Sequence, residues 1–161
     1  MAETIDCIRE KISQGSEFEG VIFGEIYNYT CIELPAEKLL QISHVLKNEL
    51  EFDQLIDIAG VDRFTKSARF EVIYNLWSNK KRERLFLRVK LDSKKPEINS
   101  ISSVWSAANW LEREAYDMFG INFLNHPDLR RIYMMDEYEY YPLRKDYPLM
   151  GIPGASELPK K

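Results

Sequence analysis

The chain has 161 residues, of which 45% are hydrophobic, 12% aromatic and 30% charged. This length predicts about one domain, and this composition is typical of a folded globular protein and excludes a disordered chain. No apolar run approaches the roughly 18 residues of a membrane-spanning helix, and the acidic amino terminus is unlike a secretory leader. The sequence therefore predicts a soluble, cytosolic chain with no membrane span.

Charge is distributed unevenly behind a formal net charge of −4. The net charge is −8 in residues 1–60, +6 in residues 61–100 and −2 in residues 101–161. The lysines of the basic middle part stand in SNKKRER and DSKKPE, which are typical of a hairpin turn and a loop. We therefore interpret them as solvated turns and expect no nucleic-acid binding.

The first 62 residues predict two helices and three strands. Isoleucines at helical spacing predict a short helix in residues 3–12. Apolar residues that recur every three or four positions predict an amphipathic helix from Pro35 to Leu50. Strand-like segments occupy residues 21–24, 26–34 and 54–62, and the last is expected to end near Gly60.

The next part of the chain predicts a hairpin, one more helix and a short strand. RFEVIYNLW and ERLFLRVKL alternate apolar and polar residues on either side of SNKKR, which predicts two antiparallel strands with one apolar face. A helix is expected to begin at a cap on Ser103 or Ser106 and to end at Gly120, which suits the left-handed position after a helix. Residues 129–134 predict a further strand.

Helices and hairpins in this order predict an α+β fold, a two-layer α/β sandwich with a mostly antiparallel or mixed sheet and an extended C-terminal tail. We divide the chain into a core domain, residues 1–135, and an extended partner-docking segment with its tail, residues 136–161. The tail, PLMGIPGASELPKK, holds three prolines and two glycines and cannot bury much surface alone. The sequence has no glycine motif for a dinucleotide or a nucleoside triphosphate.

Few residues could support catalysis or bind a metal. The two histidines, His44 and His126, accompany no nucleophile motif, and the fragment from His126 to Asp128 offers two metal ligands at most. Cys7 and Cys31 form no cluster that could hold zinc or an iron–sulfur centre. The sequence therefore predicts no metal site and no redox centre in this chain.

Carboxylates on the last predicted helix leave one catalytic alternative open. Glu112, Glu114 and Asp117 share that helix, and a pair with a raised pKa could serve as acid and base. The other interpretation pairs Arg113 with Asp117, and Glu112 with Tyr116, because residues four apart meet on a helix surface.

The stretch EYEYYPLRKDYP, residues 137–148, favours docking over chemistry. It alternates tyrosines with charged residues, and its prolines keep the backbone extended. Tyrosine and arginine are enriched at interface hot spots. Arg130, Arg131 and Arg144 carry planar guanidinium groups that match carboxylates with two hydrogen bonds. We expect these residues to bind a partner protein.

Two motifs resemble a known family. WLEREAYDMFGINFLNHPDLRRIYM, residues 110–134, and YPLRKDYP, residues 141–148, resemble the 30 kDa subunit family of respiratory complex I, that is, the C subunit of NADH:quinone oxidoreductase, the NuoC type. The likeness extends over about residues 55–148. Asn125 and Tyr140 stand where the family usually has glycine. Asparagine tolerates a positive φ, whereas the turn near Tyr140 is expected to differ.

The resemblance implies a structural, non-catalytic subunit of the peripheral arm of a proton-translocating NADH:quinone oxidoreductase. In that family the chain itself holds no cofactor, and FMN, iron–sulfur clusters, NADH and quinone are bound by other subunits. The implied partners are the D subunit, which helps form the quinone pocket, and the B subunit, which carries the terminal cluster. The implied location is the cytoplasmic face of the inner membrane. An equivalent subunit of a related membrane-bound hydrogenase or formate-linked complex is the alternative.

The resemblance also implies roles for three groups of residues. The charged helix face, which ties the domain together or meets a neighbour, would be Glu112, Arg113, Glu114 and Asp117. The residues that fix the turn and strand after Gly120 would be His126, Asp128, Arg130 and Arg131. The residues that dock on a partner would be Pro142, Leu143, Arg144, Lys145, Asp146 and Tyr147.

Overall fold

The structure is a computed structural model that describes residues 20–64, 67–148 and 150. The helix predicted in residues 3–12, with Cys7, and the tail in residues 151–161 lie outside the described residues. The elements in chain order are β1 (Ile22–Ile26), β2 (Tyr29–Leu34), a short 3-10 helix (Ala36–Lys38), α1 (Leu39–Asn48), β3 (Gln54–Asp62), β4 (Phe70–Ser78), β5 (Glu83–Leu91), β6 (Glu97–Asn99), α2 (Ala108–Phe119) and β7 (Asn122–Leu124).

Five strands form one mixed sheet in the order β1-β2-β5-β4-β3. Neighbouring strands are antiparallel except β2 and β5, which are parallel. The short strands β6 and β7 pair in parallel as a separate two-stranded sheet. The predicted α+β fold with a mixed sheet is therefore confirmed, and α2 packs beside β3 at one edge of the large sheet.

The core is formed by one face of the large sheet and the helices packed on it. Apolar residues alternate along the β4–β5 hairpin as the sequence predicts, and burying side chains of this size contributes roughly 1.5–3 kcal/mol each. The buried apolar residues of the hairpin are Phe70, Val72, Tyr74, Leu76, Leu85, Leu87, Val89 and Leu91. Helix α1 adds its buried apolar side chains Leu39, Ile42 and Leu46, after a 3-10 turn that Pro35 precedes.

Strand β3 runs two residues beyond Gly60, the end that the sequence predicts. The pairs of Gly60 with Val72 and of Asp62 with Phe70 continue the ladder to the end of β4. Asp62 is buried, which gives this strand end a polar anchor that the apolar pattern does not reveal.

Neither predicted serine caps α2. The helix begins at Ala108 with Ala107 in the N-cap position, and no side chain bonds to the cap. A turn precedes it, in which the N–H groups of Val104 and Trp105 donate to the carbonyl of Ile101. These three apolar residues are buried, so the core and not a serine hydroxyl fixes the entry to the helix.

The strand predicted in residues 129–134 is wrong. These residues follow an irregular path with no strand pairing among the described residues. The backbone N–H groups of Ile132, Tyr133 and Met134 donate to a side chain of α2 and not to a neighbouring strand.

Gly120 ends α2 in the left-handed conformation that the sequence predicts, with φ of 71°. A β-carbon at this position would lie 2.6 Å from the ring of Tyr141 and would also overlap the guanidinium of Arg144. The glycine is thus required both for its φ and for the close approach of a later part of the chain.

We predict that Gly120→Ala destabilises the chain. The left-handed conformation alone costs an alanine about 1–2 kcal/mol, and displacement of Arg144 adds to that cost. Chemical denaturation measures the loss. Gly24→Ala is the matched control, because a β-carbon there meets nothing closer than 4.0 Å. Equal stability of the two variants would contradict this account.

Candidate functional site

Asp117 organises the chain after α2. Its side chain is fully buried, and one carboxylate oxygen accepts hydrogen bonds from three successive backbone N–H groups. The donors are Ile132, Tyr133 and Met134, at 3.1, 2.7 and 3.0 Å. The other oxygen lies 2.6 Å from Nη1 of Arg131. One carboxylate therefore replaces the strand partner that this segment lacks in the described part of the chain.

Two arginines complete the attachment of this segment. Arg131 also donates to the backbone carbonyls of Asp117 and Tyr140, at 3.2 and 3.3 Å. Arg113 donates through Nε to the carbonyl of Arg130 at 3.1 Å and stacks over the ring of Trp110. Both guanidinium groups are nearly buried and are bound within the chain.

These contacts correct the expected surface pairs on α2. Glu112, Arg113 and Asp117 are all buried, and Asp117 pairs with Arg131 and not with Arg113 four residues away. Glu114 alone of this group is exposed. Arg113 and Asp117 do stand four residues apart on α2, as the sequence predicts. Because both are buried, each pairs with residues outside the helix.

Glu112 lies in a second buried polar cluster. Oε1 accepts the N–H of Ile101 at 2.8 Å, and Oε2 accepts the hydroxyl of Ser100 at 2.6 Å. Nε2 of His126 lies 3.8 Å from Oε2. The hydroxyl of Tyr74 is buried and has no hydrogen-bond partner among the described residues. Its burial, and to a smaller extent the charge of Glu112, raises the pKa of Tyr74.

His126 is held in its neutral form. Its Nδ1 accepts the N–H of Asp128 at 3.0 Å, so Nε2 carries the proton and donates to the carbonyl of Asn109 at 3.0 Å. Burial lowers the pKa of the histidine. Both ring nitrogens are thus bonded within the chain, and they link the turn after β7 to the carbonyl of Asn109 on α2.

Asn125 and Tyr140, which stand where the family usually has glycine, differ in backbone conformation. Asn125 has φ of 62°, so the expected tolerance of a positive φ is used at this turn. Tyr140 is not among the residues with a positive φ, and its ring packs edge-on against Tyr138 at 5.6 Å. The turn before Pro142 therefore accepts a tyrosine without strain.

Residues 136–148, here called the C-terminal segment, pack back on the core. Leu143 N–H donates to the carbonyl of Met118 at 3.1 Å, and Nε of Arg144 donates to the carbonyl of Phe119 at 2.6 Å. The guanidinium of Arg144 also stacks on Tyr141, and its burial lowers the pKa of the arginine. The inner side of this segment is therefore occupied by the chain itself.

A third attachment point uses two residues that sequence reasoning missed. Asp62 accepts two hydrogen bonds from Arg69, at 2.8 and 2.7 Å, and one from the N–H of Lys145 at 2.9 Å. The hydrogen bonds of Arg69 lower the pKa of Asp62 to about 2. Arg69 also donates to Asp146 at 2.9 Å. The sequence signal that could have predicted this contact is the pair of opposite charges at the facing ends of β3 and β4.

The outer side of the same region exposes large apolar side chains among charged ones. Tyr133, Met135, Tyr140 and Leu143 are exposed by 66, 54, 41 and 54%. The exposed charged residues of the C-terminal segment are Asp136, Glu137, Glu139, Lys145 and Asp146. Exposed aromatic and aliphatic side chains beside charged ones are typical of protein interaction sites. Among the predicted docking residues, Lys145 and Asp146 are also exposed, whereas Pro142, Arg144 and Tyr147 are half-buried. Arg130 is exposed and pairs with Asp128 at 3.0 Å.

The described residues hold no group of three or more histidine, cysteine or acidic side chains that could bind a metal. Cys31 is a buried free thiol, and its burial raises its pKa. In the described part of the chain, no helix is long and apolar enough to cross a membrane. Both oxygens of Glu112 and of Asp117 accept hydrogen bonds from this chain, so the described carboxylates of α2 form no open acid/base pair.

We predict that Asp117→Asn strongly destabilises the chain. Breaking a buried ion pair costs about 3–5 kcal/mol. Burial acts to raise the pKa of Asp117, but the hydrogen bonds of Met134, Tyr133, Arg131 and Ile132 together outweigh that effect and hold its pKa below 3.8. The stabilisation is present above pH about 4 and is lost as pH falls through the lower folded pKa.

Unfolding by denaturant at pH 7 and at pH 3 measures this difference, with exposed Asp136→Asn as the control. A loss at pH 7 no larger than that of the control would refute the role of Asp117.

Glu112 gives the opposite pH dependence. Burial raises its pKa from 4.5 to about 7, against the hydrogen bonds of Ser100 and Ile101. Below pH 4.5 the group is protonated in both states. Above pH 4.5 the unfolded chain loses the proton first, so stability falls until pH 7, by roughly 3 kcal/mol for such a shift.

Glu112→Gln should remove this pH dependence and be the more stable protein at pH 8. The difference in unfolding free energy between the variant and the parent is measured from pH 4 to pH 8, so that titrations independent of Glu112 cancel. A difference that does not change with pH would contradict the raised pKa.

Comparison with known proteins identifies the family. The family model "Respiratory-chain NADH dehydrogenase, 30 Kd subunit" matches residues 32–153. The C subunit of the NADH-quinone oxidoreductase of Geobacter metallireducens is 41% identical over 96% of this chain and 94% of its own length. The C 2 subunit of the NADH-quinone oxidoreductase of Rhizobium meliloti is 43% identical over 80% of this chain and 71% of its own length.

Solved structures agree with the sequence relatives. A trypsin-resistant fragment of Nqo5 matches 78% of this chain and 99% of its own, with a TM-score of 0.68 and 30% identity. A chain of an archaeal membrane-bound sulfane sulfur reductase matches 92% of this chain and 86% of its own with a TM-score of 0.78, but at 21% identity it shows the fold alone. The chain belongs to the 30 kDa subunit family of the respiratory-chain NADH dehydrogenase.

Proposed function

We propose that this chain is a structural, cofactor-free subunit of an NADH–quinone oxidoreductase that positions neighbouring subunits. The observation that carries the proposal is that charged residues of the family motif form hydrogen bonds within the chain. Asp117, Arg113 and Arg131 form buried bonds within the chain, and these bonds fix the backbone from which exposed tyrosine, methionine and leucine side chains extend. Glu112 and His126 are also hydrogen-bonded within the chain, and the described residues hold no cluster of three or more metal ligands.

The outer side of the C-terminal segment is the proposed docking surface. Attachment on its inner side fixes Tyr140 and Leu143 before any partner binds, which lowers the entropy lost on binding. Residues 1–135 then form the core domain, and residues 136–161 form the docking segment and its tail. We propose that all of Pro142, Leu143, Arg144, Lys145, Asp146 and Tyr147 serve docking, with Arg144 acting from the inner side.

The proposed partners are the D and B subunits of the complex, the first at the quinone pocket and the second with the terminal iron–sulfur cluster. FMN, NADH, the clusters and quinone are bound by those and other subunits in this proposal. The location is the peripheral arm at the cytoplasmic face of the inner membrane. The NADH-quinone relatives, at 41–48% identity, favour this complex over a related hydrogenase.

Affinity isolation tests the proposal directly. A tagged chain, expressed in its native cells and recovered from gently solubilised membranes, should bring down the NADH–quinone oxidoreductase subunits as identified by mass spectrometry. The purified chain alone should show no flavin or cluster absorption. Recovery of the chain alone, or with hydrogenase subunits instead, would refute the assignment.

We predict that Leu143→Asp reduces recovery of the partner subunits without unfolding the chain. The side chain is 54% exposed, so an acid there costs the isolated chain little but opposes an apolar partner. Tyr27→Asp is the control, since Tyr27 is 91% exposed at the turn between β1 and β2 and aspartate tolerates its positive φ. Equal recovery with both variants would exclude this docking surface.

Arg144→Glu should act differently, through the inner side of the segment. It removes the bond to Phe119 and places an acid against the rings of Tyr141 and Phe70. We expect residues 141–147 to become sensitive to limited proteolysis in the isolated chain, and partner recovery to fall as a result. Unchanged proteolysis together with reduced recovery would mean that Arg144 contacts the partner directly.

A further inference from the structure

The edge strand β3 borders a groove that the rest of the described chain leaves open. A volume of about 220 Å³ lies between β3 and α2, far more than the roughly 30 Å³ of a water molecule in the liquid. Ala59 and Gly60 form part of one wall, Ala115 and Met118 form part of the other, and Leu143 lines the same groove.

Backbone groups of β3 face this open side. In an antiparallel pair, alternate residues turn their N–H and C=O groups toward the partner strand. The N–H of Arg63 donates to the carbonyl of Arg69, which continues the β3–β4 ladder and assigns the odd-numbered residues from Asp57 onward to the β4 side. Ile58 and Gly60 therefore direct their backbone groups to the other side, where no described strand lies.

The free edge is modified locally in a way typical of protected edges. The register shifts between Leu55 and Asp57, so Ile56 is unpaired, and 45% of Ile56 is exposed. Oδ1 of Asp57 accepts the N–H of Ile58 at 2.9 Å. A bulge and an acidic side chain on an edge oppose unspecific pairing with other strands, while the groups of Gly60 stay available.

The rim of the groove is acidic and its walls are largely apolar. Asp57 and Glu114 both line it, from the strand and from the helix, and both are exposed. Ala115, Met118 and Phe119 supply apolar surface between them. A ligand that fits must offer backbone hydrogen bonds, an apolar side chain and a positive charge, which together describe an extended peptide.

We propose that the open edge of β3 receives an extended segment of a neighbouring subunit, with a lysine or arginine opposite Asp57 and Glu114 and an apolar side chain against Ala115 and Met118. This inference rests on the proposed function, because it requires a neighbouring subunit. It adds a second contact of a different kind, in which a segment of the partner pairs with β3 and becomes the sixth strand of the large sheet.

Charge argues against a second copy as the occupant, and proline content argues against the tail. Strand β3 of a second copy, QLIDIAGVD, contains two aspartates and no basic residue, so it offers no positive charge to Asp57 and Glu114. The tail of this chain has prolines at Pro153 and Pro159, which lack the N–H for pairing. The five residues between these prolines include Glu157 and no basic residue, and the two lysines of the tail follow the second proline.

Hydrogen exchange at single-residue resolution tests the proposal in the intact complex and in the isolated full-length chain. The amides of Ala59 and Val61, directed to β4, should exchange slowly in both. The amide of Gly60 should exchange rapidly in the isolated chain and about tenfold or more slowly in the complex. This alternation of adjacent amides distinguishes strand pairing from general burial.

The outcomes separate this inference from the proposed function. Rapid exchange of Gly60 in a complex that still contains the other subunits would overturn the inference and leave the proposed function intact. Gly60 could instead exchange slowly in the isolated chain. If that slow exchange becomes rapid on deletion of residues 151–161, the tail occupies the edge, and if it depends on protein concentration, a second copy does. Either result would also overturn the inference. Absence of co-purifying subunits would overturn both.

Charge reversal provides the second test. Asp57→Lys combined with Glu114→Lys should remove the slow exchange of Gly60 in the isolated complex, because a basic partner segment is then repelled. The control is Glu37→Lys, because Glu37 is an exposed acid in the 3-10 helix after β2, and β5 and β4 separate β2 from β3 in the sheet. Slow exchange of Gly60 that persists in the double variant would contradict a basic occupant.

Discussion

The rest of the described chain after α2 depends on the buried carboxylate of Asp117. A buried charge is costly unless it is hydrogen-bonded and paired, and this one has three backbone donors and a guanidinium. The dependence is mutual, since those backbone N–H groups have no strand partner in the described structure. Neither the carboxylate nor the irregular segment is stable in this arrangement without the other.

Three attachments in succession then place the C-terminal segment on the edge of the domain. Asp117 holds residues 131–134, the carbonyl of Phe119 at the end of α2 holds Arg144, and Asp62 at the end of β3 holds Lys145. Gly120 permits the middle attachment, because any side chain there would occupy the space of Arg144. The exposed apolar side chains are thereby presented from a fixed backbone, and a partner need not order them.

The regular elements follow from the sequence because their apolar periodicity reflects a single buried face. The β4–β5 hairpin and α1 show this most clearly. The polar contacts do not follow, since helix spacing pairs Arg113 with Asp117, whereas burial joins each to residues 14 to 18 positions away. The same limit explains the strand wrongly predicted in residues 129–134, where a side chain supplies the acceptor that local pattern assigns to a neighbouring strand. The motif correctly indicated which part of the chain holds the dense polar contacts. Its sequence alone does not distinguish charged residues that bond within the chain from charged residues that contact a partner.

A dense cluster of charged residues in a motif is commonly taken for an active site, but the geometry directs most of these charges to contacts within the described chain. A general base must reach a substrate, but Asp117 and Glu112 are fully buried and their oxygens accept hydrogen bonds from the chain. A histidine ligand needs an open ring nitrogen, but both nitrogens of His126 are bonded. The charges instead satisfy backbone groups that strands and helices would otherwise satisfy. This permits an irregular path close to the sheet edge, and that path fixes the backbone from which the proposed docking residues extend.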